Sequence, residues 1–326
     1  MDKSELRIVY MGTPYFAVAP LKKLIEKNYN IVGVVTNPDK PAGRGQKIKE
    51  SSVKIFAREN NLPILQPEKF KDEIFLQALK NLNADLQIVV AFKMLPKIVW
   101  SMPSKGTFNL HASLLPDYRG AAPINHAIIN GEEKTGVTTF FLTHEIDTGN
   151  IILQKEVPIA ENDTAGELHD RLMETGANLV VKTVDTILSD NYRLINQNKL
   201  ITPKQTLKTA PKIFKNDCKI NWADSATNIY NFIRGLSPYP TAWTEIQNNR
   251  QSIQLKIYES QKQLTSHHYS SGEIITDSKT FLKVACYDGL INILQLQQSG
   301  KKRLNIIEFL RGFPKINEWH CSTNHN

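Results

Sequence analysis

The sequence lacks any long hydrophobic run. No stretch approaches the roughly 18 consecutive apolar residues that a helix needs to cross a bilayer, so no membrane span is expected. The opening, MDKSELRIVYMG, carries no signal-peptide pattern and runs straight into an apolar segment. Cysteine is scarce. Cys218, Cys286 and Cys321 are odd in number and far apart, which argues against a disulfide framework or a zinc site and for a reducing, cytoplasmic setting. The eight histidines show no ligand spacing either. His267 and His268 are adjacent and His320 sits in a polar tail, so no metal is expected. The turn after the first apolar run has no G-x-G-x-x-G, which disfavours a dinucleotide. There is no internal repeat.

What is present suits two packed domains. The chain has 326 residues, and 41% of them are hydrophobic. Leu6 to Met11, a turn at Gly12 and the periodic YFAVAPLKKLIEKN read as strand, turn and helix. Tyr29 to Thr36 and Asp85 to Ala91 read as further buried strands, with helices over 51–59, 67–81, 122–130 and 165–189. Strands are expected over 138–142 and 151–157. The resulting fold class is α/β, a Rossmann-like doubly wound, mostly parallel sheet over residues 1–190. Residues 191–211 are polar, contain Pro203 and Pro211, and read as an interdomain linker. Beyond them, short strands near 242–246, 253–259, 272–276, 282–286 and 291–297 predict a smaller OB-like β-barrel over 212–326. The tail from Trp319 is expected to fray.

Charge is uneven. Residues 206–326 hold 15 Lys and Arg against 9 Asp and Glu, a net +6 of the chain's +8. The excess marks either a solvated basic surface or a polyanion partner, with RNA foremost. Two basic places stand out. One is the loop NPDKPAGRGQ, with Lys40 and Arg44 and then Lys47; the other is Lys301-Lys302-Arg303. Each is either a solvated loop or hairpin tip or a contact to phosphates.

The chemistry concentrates between Phe108 and Ile152. Asn109 and His111 lie two residues apart near a strand end, so both side chains project from one face. Asp147 sits in EIDTGN between two apolar runs. An amide, an imidazole and a carboxylate brought together would hold an oxyanion and move a proton. His126, His144 and His169 read as structural or rim residues.

The wording N-L-H-x-S-L-L-P-x-Y-R-G-A-x-P, the later I-D-T-G-x-I and the early GTPxFA turn resemble the 10-formyltetrahydrofolate-dependent formyltransferases. The resemblance implies transfer of a formyl group from a folate nitrogen to an amine, without a covalent intermediate. Asn109 would serve the oxyanion and His111 the proton, with Asp147 orienting His111 and fixing its tautomer. Ser113, Leu114, Leu115 and Pro116 would line the folate site. Phe92 and Lys93 replace the Tyr and Gly usual there, which alters the pterin pocket. In family members that formylate methionyl-tRNA, an insertion like 37–46 contacts the acceptor arm. Arg44, Lys40 and Lys47, with Lys301, Lys302 and Arg303 in the second domain, are therefore the expected tRNA contacts. The implied acceptor is the α-amine of initiator methionyl-tRNA, acted on by a monomer. The alternatives are a transferase acting on a nucleotide-sugar amine and a non-catalytic RNA-binding protein.

Overall fold

The computed structural model describes residues 2–42, 47–190, 192–202, 206–313 and 315–322. In chain order the elements are β1 (Arg7–Gly12), α1 (Val18–Glu26), β2 (Asn30–Val35), β3 (Lys40–Ala42), β4 (Lys47–Lys49), α2 (Ser52–Glu59), β5 (Ile64–Leu65), α3 (Glu73–Asn81), β6 (Leu86–Val90), α4 (Lys97–Trp100), β7 (Thr107–His111) and β8 (Arg119–Gly120). There follow α5 (Pro123–Ile129), β9 (Lys134–Phe141), β10 (Ile151–Pro158), α6 (Ala165–Ser189), β11 (Thr209–Ala210), α7 (Ala226–Leu236), β12 (Ala242–Gln247), β13 (Ser252–Leu264), β14 (Ile274–Thr276), β15 (Leu282–Cys286), β16 (Gly289–Gln298), β17 (Arg303–Asn305), α8 (Ile306–Arg311) and β18 (His320–Cys321).

Two compact units result, and each is discontinuous. The first comprises residues 1–120, 135–158 and 169–209; the second comprises 121–134, 159–168 and 210–326. The first unit holds a seven-stranded sheet in the order β10-β9-β7-β6-β1-β2-β5. β1 runs parallel to both β2 and β6, β2 to β5, and β6 to β7, whereas β9 is antiparallel to β7. All five residues of β6, LQIVV, are buried, as expected of a parallel strand covered on both faces. The turn after β1 is tight. A Cβ on Gly12 would come within 2.7 Å of the Ala17 Cβ, so the GTPxFA turn requires glycine at that close approach. Helix α2 starts where its sequence directs, with Ser51 Oγ accepting from Lys54 N at 3.0 Å.

The second unit contains an antiparallel, barrel-like sheet in the order β14-β15-β16-β13-β12-β18, with β17 paired to β16. Helix α7 supplies an apolar face to a core that includes Trp222, Ile229, Ile233, Ile257 and Ile293. Trp222 is fully buried, and its indole N–H donates to Thr244 Oγ1 at 2.9 Å, so the one polar atom of that ring is satisfied. Arg234 is likewise buried; its guanidinium donates to the Asp163 carbonyl at 2.8 Å and to Asn231 Oδ1 at 2.9 Å. Burial holds the Arg234 guanidinium below its ordinary value.

Four local expectations are corrected. The segment read as a loop on its Pro and Gly content contains a small hairpin, with Lys40 opposite Lys49 and Ala42 opposite Lys47; Pro41 is tolerated because a two-stranded ribbon is all edge. The helix expected from residue 67 begins at Glu73, because Asp72 caps it by accepting from Phe75 N at 3.0 Å. The polar stretch after α6 carries a buried residue, Gln197, and Ile195 bridges to Ile151. The tail does not fray at Trp319, which is buried together with Cys321, and β18 pairs with β12; residues 323–326 lie outside the described ones.

Candidate active site

The sheet order creates the site. From β1 the chain builds outward through β2 and β5 on one side and through β6 and β7 on the other. The strand order therefore reverses between β1 and β6, and ligands of open α/β sheets bind at the carboxyl ends beside such a reversal. The loops leaving β6 and β7 lie at these ends. The first carries Phe92, Lys93 and Met94, the last 74% exposed. Phe92 packs against Phe70 with ring centroids 5.7 Å apart.

β7 is held between β6 and β9, with Asn109 level with Val89 and Phe140 and His111 level with Thr138. Alternation puts the amide and the imidazole on one face. His111 is only 7% exposed. Its Nε2 lies 2.8 Å from the Tyr118 carbonyl oxygen. A carbonyl only accepts, so Nε2 carries the hydrogen and Nδ1 of the neutral ring carries the lone pair. That lone pair faces Asp147 Oδ2 at 3.9 Å. Tyr118, whose own N–H donates to the Lys208 carbonyl at 2.6 Å, thus meets the Nε2 side of the ring, and Asp147 meets the Nδ1 side.

Asp147 adopts a left-handed conformation, φ 54°. Its Oδ2 accepts from Gly120 N at 3.0 Å. Two residues on, a Cβ on Gly149 would fall 1.7 Å from the Phe141 carbonyl oxygen, so this turn admits only glycine there. Asn109 Oδ1 is buried, and the side chain forms no hydrogen bond among the described residues. The amide is uncommitted, and a buried polar group without a partner calls for an explanation.

The SLLP segment is a rigid wall. Ser113 Oγ donates to the Asp117 carbonyl at 2.7 Å, Thr138 Oγ1 donates to the Ser113 carbonyl at 2.6 Å, and Gln154 Nε2 donates to the Leu115 carbonyl at 2.9 Å. Ser113, Leu115 and Pro116 are buried, and Leu114 is half-buried. The structure therefore gathers Asn109, His111 and Asp147 with this wall.

The basic candidates fall on both units. Lys40 is exposed on β3, Lys47 begins β4, and Arg44 lies outside the described residues. Lys301 and Lys302 are exposed at the turn between β16 and β17, and the Arg303 guanidinium sits 4.1 Å over the Tyr258 ring. His126 bonds the Pro211 carbonyl at 3.0 Å and His144 is exposed. Among the described residues, no cluster of three or more His, Cys, Asp or Glu is arranged to hold a metal, and no helix is long and apolar enough to cross a membrane. Sequence reasoning missed Tyr118 and Gln197. The only signal for Tyr118 was its neighbourhood in the YRG wording.

Residues 6–184 match the profile of the formyl transferase family, and residues 212–314 match that of the formyl transferase C-terminal domain. The methionyl-tRNA formyltransferase of Bacteroides thetaiotaomicron is 57% identical over 314 residues, covering 96% of this chain and 97% of the relative. That of Flavobacterium johnsoniae is 53% identical over 308 residues, covering 94% and 96%. Among solved structures, WlaRD, a sugar 3N-formyl transferase with dTDP and 5-N-formyl-THF, superposes with a TM-score of 0.63 at 24% identity, covering 91% of this chain and 99% of that one. HypX from Aquifex aeolicus with tetrahydrofolic acid gives 0.63 at 16% identity, covering 96% and 48%. At these identities the two structures speak for the fold alone.

Proposed function

The chain belongs to the formyl transferase family, and on that premise we propose that it moves the formyl group of 10-formyltetrahydrofolate to the α-amine of initiator methionyl-tRNA. Relatives more than 50% identical over nearly their whole length are named methionyl-tRNA formyltransferases. The observation that carries the reading is the pair on β7: a free imidazole lone pair at His111 and an uncommitted amide at Asn109.

The roles follow from the reaction. The amine nitrogen attacks the formyl carbon, a C–N bond forms, and the carbonyl oxygen gathers negative charge. The Asn109 N–H donates to that oxygen; a donor so aimed contributes about 2.7–4 kcal/mol. His111 Nδ1 accepts the proton leaving the attacking nitrogen, and the resulting imidazolium faces the Asp147 carboxylate. The proton then passes to folate N10 as the bond from N10 to the formyl carbon breaks, releasing tetrahydrofolate. The Ser113–Pro116 wall and the loop with Phe92 and Lys93 bound the folate pocket in this reading. Lys40, Arg44 and Lys47, with Lys301, Lys302 and Arg303, contact tRNA phosphates. The protein works as a cytoplasmic monomer, with residues 212–326 serving tRNA binding.

Salt separates this acceptor from a small amine. Each phosphate contact adds about −0.9 to the slope of log affinity against log salt, so roughly four contacts cost about 100-fold between 50 and 200 mM. The KM for methionyl-tRNA should rise steeply over that range while the KM for the folate stays within a few-fold. Equal, shallow responses would point to a nucleotide-sugar or other small amine.

A further inference from the structure

We propose that Gln197 is a positioning residue that fixes the Asp147 carboxylate beside His111. This rests on the reaction argued above and deepens it.

Gln197 opens a short 3-10 turn, Gln197–Leu200, in the polar stretch after α6, yet it is only 1% exposed. Its Nε2 donates to the carbonyls of Asp147 and Gly149, each at 2.8 Å. Its Oε1 accepts from Arg119 Nε at 3.1 Å and Nη2 at 2.6 Å. A primary amide has two donor hydrogens and two acceptor lone pairs, and here all four are used. The partners also fix which end is which, because carbonyls only accept and a guanidinium only donates. Glutamate would set a carboxylate against two carbonyl oxygens. Methionine would match the length and offer neither donors nor an acceptor.

The clasp joins three pieces of chain at the reacting groups. Arg119 precedes Gly120, whose N–H holds Asp147 Oδ2 at 3.0 Å. Asp147 keeps its left-handed backbone, φ 54°, a conformation that Asp tolerates better than most side chains and that contacts from two other segments hold here. Gln197 imposes it through the main chain, and Gly120 through the side chain. The segment bearing Gln197 is itself anchored two residues earlier, where Ile195 and Ile151 exchange N–H···O bonds of 2.8 and 3.0 Å. Gln197 makes none of its four bonds to the proposed reacting groups themselves. It acts by setting the position from which Asp147 meets the proton on Nδ1.

The test compares the full-length wild type with Gln197→Met, Gln197→Glu and Asp147→Asn. In Gln197→Met, kcat should fall about 10- to 100-fold, as expected when a reacting group drifts by about an ångström. KM for both substrates should stay within threefold. Gln197→Glu keeps the Arg119 contact and loses both carbonyl contacts, so it should behave like Gln197→Met. It also stands in should the Met variant fail to fold. Combined with Asp147→Asn, Gln197→Met should add less than threefold. A folded Gln197→Met with wild-type kcat would overturn the proposal, as would full additivity with Asp147→Asn. A purely structural role would lower Tm and leave kcat of the folded enzyme where it was. Substrate-free NMR of the Gly120 amide, which donates to Asp147 Oδ2, tests the clasp in wild type and variant without any turnover. A displaced resonance in the variant supports it and coincident spectra refute it. Failure of wild type to transfer formyl would reject the reaction and leave that comparison intact.

Discussion

Consider Asp147→Asn. The side chain changes by one atom and keeps its volume. The amide oxygen can still accept from Gly120 N, the bond that in wild type measures 3.0 Å. What disappears is a negative charge 3.9 Å from His111 Nδ1. Both side chains are nearly buried, so solvent screens the pair little. At an effective dielectric of 20, a charge pair about 4 Å apart is worth about 4 kcal/mol. That attraction exists only once the ring is protonated, so it favours the transition state in which Nδ1 has taken up the proton. With about 1.4 kcal/mol per decade, kcat should fall by about 10²- to 10³-fold. KM should change little, and Tm should stay within a few degrees because the hydrogen bond to Gly120 survives. The assay is steady-state formyl transfer with thermal melts run alongside. A folded Asp147→Asn enzyme within threefold of wild-type kcat would refute the role of the carboxylate.

Three further outcomes follow from the same geometry. Asn109→Ala removes the proposed oxyanion donor and should lower kcat by about 10²- to 10³-fold with folate binding preserved; an unaltered kcat would move the oxyanion elsewhere. His111→Gln keeps a side chain able to donate to Tyr118 but has no base, so kcat should fall by about 10²- to 10⁴-fold; a near-wild-type kcat would exonerate His111. Burial pushes the Cys321 thiol up to about 12, burial and Asp288 push Cys286 up to about 11, and burial and a hydrogen bond to Asp185 push Tyr29 up to about 12. These folded values exceed the unfolded ones, about 8.5 for Cys and 10 for Tyr. Their stabilisation is therefore complete below about pH 8.5 and is lost as pH rises toward 11 to 12. Urea midpoints should fall over that window, and a flat response would contradict the burial of these groups.

The fold was legible where local signals and tertiary packing agree. The apolar run at β6 was read as a buried strand because a strand covered on both faces needs no alternation. Ser51 and the span of α6 were legible because caps and helical spacing are written locally. The β3–β4 hairpin was not, since Pro41 and the glycines advertise a turn and conceal short pairing. Trp319 and Cys321 were read as tail, because their burial depends on a strand partner more than 70 residues away, Ile246 with Cys321 and Gln247 with His320. Within the candidate site, the shared face of Asn109 and His111 is legible from their spacing. The group that meets His111 Nε2 is a main-chain carbonyl, which any residue at position 118 would supply. Gln197 is one amide in a polar stretch, and its role comes from what two other loops bring to it.

The most direct measurement is formylation of charged initiator methionyl-tRNA by the purified protein with 10-formyltetrahydrofolate, run in parallel with elongator methionyl-tRNA and a nucleotide-linked amino sugar. Formylation of the initiator, with the elongator and the sugar left unmodified, is the expected result. Transfer to the sugar alone would keep Asn109, His111 and Asp147 and discard the tRNA, and transfer to none of the three would contradict the reaction itself.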